Sequence, residues 1–419
     1  MTENRLRQIQ KLGQAIWLDN LSREHIDSGE LQRLIEEDGL SGITSNPTIF
    51  EKAIGHSERY EDAFAQALAD AGPNAREIFL RLAIADIRDA ADLLRPVFER
   101  TGGQDGYVSF ELPPEAAYDT EQSIDLAIAL RKRIDRQNAL IKVPGTEQGV
   151  RAFEELTARG HSINVTLLFS VARYEQIAEA YVRALQRRVD AGEPVDRIAS
   201  VASFFVSRVD ATVDEALAER GRQDLAGRAA VANARVAYES FRRIFSGEAW
   251  EAVVEHGANV QRPLWASTST KNPDYPDTLY VDAMIGPETV NTMPDNTFAA
   301  ARDHATAKLT ISHDPAGAHD TLAAIRDAGV DFDDIVCRQL VEEGVDAFAA
   351  SFDSLIETIE RKATTVSFPP PAQQAPRRPN APPSGKDDAL DLDPLDPPPA
   401  RNEAPESEPL EPLEPDERP

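Results

Sequence analysis

The 419-residue sequence predicts an α/β chain folded as a closed (β/α)8, or TIM, barrel, extended by additional C-terminal helices and a disordered acidic, proline-rich tail. Three observations predict it. Eight short apolar runs of strand length recur between residue 15 and residue 293; helix-period patterns separate them; and polar residues recur where those runs end. Alternation of strand and helix points to a parallel sheet with helices packed outside it. An open, doubly wound sheet would show the same alternation.

The strand candidates, in order, are Ala15 to Leu18, Gly42 to Thr44, Gly106 to Leu112, Ala139 to Val143, Ser162 to Leu167, Ala199 to Phe205, Pro263 to Ser267 and Thr289 to Met293. Between them Leu31, Leu34 and Ile35 form an apolar stripe that stops at Gly39. Asp119 or Thr120 can cap a helix carrying Ile124, Ala127, Ile128 and Ile134. Ser170 opens another, with Ile177, Tyr181 and Leu185 on one face and Gly192 at its end. Such cap and stop residues mark helix limits because they satisfy or release the unpaired backbone groups there. After Met293, helical patterns over 298–308, 317–328 and 332–363 exceed what eight units need, so they are expected against the barrel's outside or across its mouth.

The domain proper is expected to span residues 1–365. Residues 366–419 hold 12 Asp/Glu against 5 Lys/Arg and 16 of the chain's 29 prolines, a composition that buries too little to offset the entropy of ordering. A net charge of −28 argues against nucleic-acid or anionic-membrane partners, which need a basic surface. No apolar run reaches the ~18 residues of a membrane span, and residues 1–14 lack the apolar centre of a signal peptide, so the expected location is the cytoplasm. Cys337, the single cysteine, falls in a helical pattern where a small buried hydrophobe is expected. The seven histidines are scattered, with no HExxH and no Cys/His pairing; no metal site is expected. Neither Gly-x-Gly-x-x-Gly nor a Walker loop is present, and no cofactor is expected. A homodimer is compatible with this sequence.

The chemistry centres on Ala139-Leu140-Ile141-Lys142-Val143-Pro144-Gly145-Thr146, where one lysine interrupts an apolar run. A buried ammonium is costly unless paired, so an inward-facing lysine tends to lose its proton and become a nucleophile for carbonyls. Only eight of the 44 basic residues are lysines, which makes one inside a strand less incidental, although an arginine-rich coding bias would leave the same ratio. In a barrel the active site lies at the C-terminal rim of the strands. Polar residues there are Asp19, Asn46, Glu111, Lys142, Asn164, Thr166, Ser203, Arg208 and Ser267. Singly, each also reads as a cap or turn residue, or for Lys142 as a chain snorkelling at a strand end. Together they describe one reaction. Lys142 attacks a ketose carbonyl, Glu111 moves protons directly or through a water held by Thr166, and Asp19 removes a hydroxyl proton so that a carbon–carbon bond breaks. Asn46, Asn164 and Ser203 would hold the substrate's hydroxyls.

The segments Trp17-Leu18-Asp19, Thr44-Ser45-Asn46-Pro47-Thr48, Val108-Ser109-Phe110-Glu111, Ile141-Lys142-Val143-Pro144, Ile163 through Ser170 and Ser203 through Arg208 resemble, in order, those of the transaldolases. That resemblance implies a barrel enzyme that transfers dihydroxyacetone from sedoheptulose 7-phosphate to glyceraldehyde 3-phosphate through a lysine Schiff base. It implies Lys142 as the nucleophile, Asp19 and Glu111 as acid/base groups, Thr166 as holder of a water, and Asn46, Asn164 and Ser203 as ligands of the sugar. It also implies Arg208 as the group that takes the phosphate. One segment departs: Ala266-Ser267-Thr268-Ser269-Thr270-Lys271-Asn272 carries a lysine where the family commonly has an arginine soon after the Ala-Ser pair. Lys271, with Ser267 beside it, is the expected substitute, a point charge without arginine's fork. Two rival readings are an aldolase that releases free dihydroxyacetone and a non-catalytic sugar-phosphate-binding protein.

Overall fold

The computed structural model describes residues 4–365; the expected tail, 366–419, lies outside the described residues. Eight parallel strands, β1 (Gln14–Leu18), β2 (Gly42–Thr44), β3 (Tyr107–Glu111), β4 (Ala139–Pro144), β5 (Ile163–Leu168), β6 (Ser200–Phe205), β7 (Gln261–Ala266) and β8 (Thr289–Met293), pair in sequence order. β1 also pairs with β8, from Gln14↔Thr289 to Leu18↔Met293, which closes the ring and removes the open-sheet alternative.

Every expected strand is present, with shifted ends that have local causes. Ser267 adopts φ 56°, a left-handed conformation, so β7 stops at Ala266 instead of running through Ser267. Leu167 has φ 59° where the pairing of β5 with β6 slips between Val165 and Leu168, and β5 resumes to Leu168. An unstrained β-bulge would put glycine or a small polar residue at such a position. A fully buried leucine there needs the surroundings to hold it, and its side chain packs against Gly344, where a Cβ would come within 2.9 Å of Leu167 Cδ2.

The capping residues behave as their chemistry requires. Asp119 and Ser170 accept from the N–H groups of Gln122 and Arg173, opening the helices Thr120–Ile134 and Val171–Asp190. Gly39, left-handed at φ 76°, ends the turn of π-helix Leu34–Asp38. The structure adds three helices between β2 and β3, Pro47–His56, Glu61–Ala71 and Ala75–Arg100, that the sequence patterns above do not assign.

The helices after β8 run over Asp295–His304, Pro315–Asp327 and Leu340–Thr365, the last preceded by the π-helical turn Ile335–Gln339. That extra-wide turn corrects the expectation for Cys337. Ile335, Val336 and Leu340 take the inner face, and Cys337 is exposed. The final helix lies on Pro47–His56, where Thr48 Oγ1 donates to Ser351 Oγ at 3.0 Å and Lys362 Nζ donates to the Ile54 carbonyl at 3.0 Å. Phe352 meets Phe79 edge-on with centroids 5.8 Å apart. These contacts set the helix across the C-terminal mouth of the barrel. No described helix is long and apolar enough to cross a membrane.

Candidate active site

Parallel strands in register bring residues far apart in sequence to the same height. Glu111 stands opposite Lys142 across β3 and β4, and Lys142 opposite Asn164 across β4 and β5. At the C-terminal mouth they meet a cavity of about 750 Å³, lined by Asp19, Asn46, Lys142, Thr166, Ser203, Arg208, Ser267 and Lys271 and roofed by Ala347, Phe348 and Ser351 of the final helix. Eight of the ten residues expected from sequence therefore line one cavity. Glu111 and Asn164 stand just behind it.

Lys142 is 5% exposed. Its Nζ donates to Glu111 Oε2 at 3.2 Å and to the Ser45 carbonyl at 3.2 Å, and lies 5.9 Å from the ring centre of Phe348. Ser45 is fixed in turn by its own hydroxyl, which donates to the Ser109 carbonyl at 3.0 Å. The amine is thus held between β2, β3 and the roof, with its third face toward the cavity. Glu111 has a pKa raised by burial, against the opposing pull of the Lys142 charge and hydrogen bond; the Asp19 charge adds to the rise. Its Oε1 and the hydroxyl of Thr166 are both buried without a hydrogen-bond partner among the described residues. Buried polar atoms left unpaired are costly, so two of them beside a reactive amine mark a place for a small polar group.

Asp19 follows β1. Its backbone N–H donates to the Met293 carbonyl at 2.8 Å, and its Oδ1 accepts from Thr44 Oγ1 at 2.6 Å, with Thr292 Oγ1 at 2.9 Å from the same threonine. Because the carboxyl opens into the cavity, its surface is only partly covered. It nevertheless sits deep enough in protein for burial to raise its pKa, opposed by the Lys142 charge and the Thr44 hydrogen bond and helped by Asp295. Both carboxyls are therefore tuned upward by desolvation, toward the range where an acid and a base can exchange roles.

The remaining expected residues divide by what they touch. Asn46 caps the helix Pro47–His56, its Oδ1 accepting from the Ile49 N–H at 3.1 Å, and also lines the cavity, so the structural and functional readings both hold for it. Asn164 is fully buried with both ends engaged: Ser203 Oγ donates to its Oδ1 at 2.7 Å and its Nδ2 donates to Ser109 Oγ at 3.0 Å. It reaches the cavity through Ser203, which lines the wall itself. Arg208 lies in the first turn of the helix Ser207–Glu219, and burial pushes its pKa down while the Glu343 charge opposes. Ser267 pairs with Ser207 through their hydroxyls at 2.9 Å. Lys271 Nζ donates to Ser269 Oγ at 2.9 Å. Although Lys271 is exposed as a residue, desolvation and the Arg208 charge hold its ammonium below the usual range. Two cations thus face the cavity side formed by the β6 and β7 loops, while Asp19 and Asp295 face it from β1 and β8.

Sequence patterns miss Thr44, Lys52, Tyr60, Ser269, Thr292 and the roof residues. Thr44 adjoins Asn46 and was open to inspection as a strand-end hydroxyl; nothing local marks Phe348. Among the described residues no group of three or more His, Cys, Asp or Glu is arranged to hold a metal ion.

A (β/α)8 barrel whose mouth buries one lysine against a carboxyl, with cations along one wall, defines a class: barrels equipped for amine–carbonyl chemistry. The particular family follows from comparison. Residues 16–359 match the family model described as Transaldolase/Fructose-6-phosphate aldolase. The chain is 44% identical over 380 residues to Transaldolase 2 of Nostoc punctiforme, covering 88% of this chain and 100% of that one. It is 47% identical over 361 residues to the transaldolase of Thiobacillus denitrificans, covering 85% and 99%. With Transaldolase 1 of Streptomyces avermitilis it shares 45% identity over 362 residues, 85% of this chain and 95% of the relative. The chain belongs to the transaldolase/fructose-6-phosphate aldolase family.

Proposed function

We propose that this transaldolase works through a Schiff base on Lys142, moving a dihydroxyacetone unit from sedoheptulose 7-phosphate to glyceraldehyde 3-phosphate and yielding erythrose 4-phosphate and fructose 6-phosphate. The observation that carries this reading is the Lys142 amine, 5% exposed, 3.2 Å from a carboxyl whose pKa burial raises, at the wall of a covered cavity. Nζ adds to the ketose carbonyl carbon. Glu111 supplies the proton with which the carbinolamine oxygen leaves as water, and Thr166 holds that water. Asp19 then takes the proton of the hydroxyl on the fourth carbon; the bond between the third and fourth carbons breaks, and its electron pair passes into the iminium to give an enamine. The aldose leaves, the next aldehyde enters, and the same steps run backwards. Asn46 and Ser203 bind the hydroxyls of the retained fragment, with Asn164 fixing Ser203 from behind. Arg208 and Lys271 bind the phosphate. A cytoplasmic setting belongs to the same reading, since sugar phosphates are charged and stay where they are made.

Transfer depends on keeping water from the enamine while the acceptor enters. Phe348 covers Lys142 from the roof. Replacing it by alanine is expected to raise the dihydroxyacetone released per transfer event severalfold, with Lys142 still able to form the Schiff base. The direct test of the reading is a coupled assay with fructose 6-phosphate, with and without erythrose 4-phosphate. Sugar turnover that requires the acceptor supports transfer; equal turnover without it identifies a releasing aldolase instead.

For Lys271, loss of one point charge beside a dianion predicts a higher KM for phosphorylated donors, about fivefold to tenfold, with kcat little changed. Steady-state kinetics of Lys271→Ala measure it. An unchanged KM would remove Lys271 from phosphate binding.

A further inference from the structure

The loop that follows β7 carries Lys271, and beyond that residue the chain is tied down twice, once in the loop at Tyr275 and once at Tyr280 in the short helix Leu279–Ala283 that ends it. Tyr275 Oη donates to Asp214 Oδ2 at 2.7 Å, and Tyr280 Oη donates to Asp210 Oδ2 at 2.9 Å. Both aspartates belong to the helix Ser207–Glu219, the helix that carries Arg208 in its first turn. Four residues apart, they lie on one face of it.

Each aspartate is itself fixed. Asp210 Oδ1 accepts from the Ala230 N–H at 2.8 Å, and Asp214 Oδ1 accepts from the Gly227 N–H at 2.9 Å. Gly227 has φ +71°, and a Cβ there would stand 2.8 Å from the Tyr275 ring, so only glycine lets that ring lie against the backbone. Asp210 and Tyr280 are both 1% exposed, while Tyr275 is half-buried. At the loop's other end the Ser207 N–H donates to the Ser267 carbonyl at 3.0 Å. The loop is thus laced to the Arg208 helix both before and after Lys271.

None of the four side chains lines the cavity. Their hydrogen bonds join the two elements whose cations do. Those cations oppose each other, since the Arg208 charge disfavours the charged form of Lys271. Left to itself, a loop of Ser, Thr, Asn and Pro would relax by swinging the lysine toward solvent, because a flexible ammonium gains hydration and loses repulsion by moving away.

We infer that Tyr275–Asp214 and Tyr280–Asp210 are positioning residues for phosphate recognition, holding the Lys271 loop against the Arg208 helix so that both cations stay on one side of the cavity for a sugar-phosphate dianion. The inference rests on the sugar-phosphate reading above. It gives a reason why a lysine serves here: arginine's planar fork brings its own geometry, whereas a point charge must have its position imposed by the backbone that carries it.

The test uses the full-length protein and Tyr275→Phe, which removes one hydroxyl from a half-buried ring. Fructose 6-phosphate and fructose serve as alternative donors, with unphosphorylated erythrose as acceptor, so that any phosphate sits on the donor alone and both reactions form sedoheptulose as a distinct product. The expected result is a KM for fructose 6-phosphate raised about fivefold, kcat within about twofold, and no change in kcat/KM for fructose. Inhibition by inorganic phosphate should weaken by the same factor. Tyr280→Phe should show the same split. An unchanged KM for fructose 6-phosphate in both variants overturns the inference, as does an equal loss with both donors, which would make the straps general supports of the fold. If borohydride and fructose 6-phosphate leave Lys142 of the unsubstituted protein unlabelled, the underlying reading fails. A labelled Lys142 with donor-independent Tyr275→Phe kinetics removes the straps alone.

Discussion

Replacing Lys142 by methionine lowers kcat by on the order of 10⁴-fold or more in this account, while the chain remains folded. Methionine matches the lysine stem in length and fills irregular space without a polar group, so the wall of the cavity stays packed. What it lacks is the amine that bonds the ketose carbonyl. Burial raises the pKa of Glu111 and the Lys142 interaction opposes that rise, so removing the amine favours the neutral carboxyl further and limits the cost of leaving it buried. The near-ultraviolet spectrum and thermal midpoint would report an intact fold, and a coupled assay would report the rate. Activity surviving within tenfold of the unsubstituted enzyme would mean that another group forms the intermediate.

Asp19→Asn is expected to lower kcat by about 10² to 10⁴-fold, the range for loss of a positioned base. Asparagine still accepts from the Thr44 hydroxyl, so the geometry of the β1 end is kept. The Schiff base should therefore form on Lys142 in this variant and stall before the carbon–carbon bond breaks. The pH dependence carries a sign. Burial raises the Asp19 pKa above its ordinary value of 3.8, so as pH falls the base is protonated earlier than an exposed aspartate would be. The acid limb of kcat is then displaced upward from that of an exposed aspartate, and that limb disappears in Asp19→Asn. Stability follows the same linkage. A folded-state pKa above the unfolded one means that the folded state binds more protons between the two values, so stability falls as pH rises through that window. The neutral asparagine escapes this loss, and the variant should melt no lower than the unsubstituted protein at neutral pH. A lower midpoint would show that the Asp19 charge contributes to folding.

Much of this site was legible because strands write their geometry into sequence. Glu111 follows Val108-Ser109-Phe110, and Lys142 interrupts Ala139-Leu140-Ile141, so both announce a polar group on a strand that is otherwise buried. Closure of the barrel then sets them side by side, a step that no single strand encodes. Asn164 shows the limit of strand-end reasoning. Its position in β5 is as expected, yet Ser109 and Ser203 occupy both ends of its amide, and only the three-dimensional arrangement shows that it acts from behind the wall. Phe348 and Ser351 were invisible for another reason. They sit on a helix whose pattern specifies an apolar face without specifying what that face covers. Cys337 departs from its expected burial because a π turn interrupts the regular period on which that expectation depends.

The same distinction applies to the straps on the β7 loop. Tyr275 and Tyr280 look like ordinary loop and helix residues, and Asp210 and Asp214 like a solvated helix face. Their pairing depends on contacts across 61 and 70 residues of sequence.

The most direct measurement is reduction with borohydride in the presence of fructose 6-phosphate, followed by mass analysis of the peptides. The account predicts a stable dihydroxyacetone-derived adduct on Lys142, absent without sugar or without reductant, and replaced in Asp19→Asn by an adduct that carries the whole uncleaved sugar phosphate. Adduct on a different lysine, or none on an enzyme that is turning over, would contradict it.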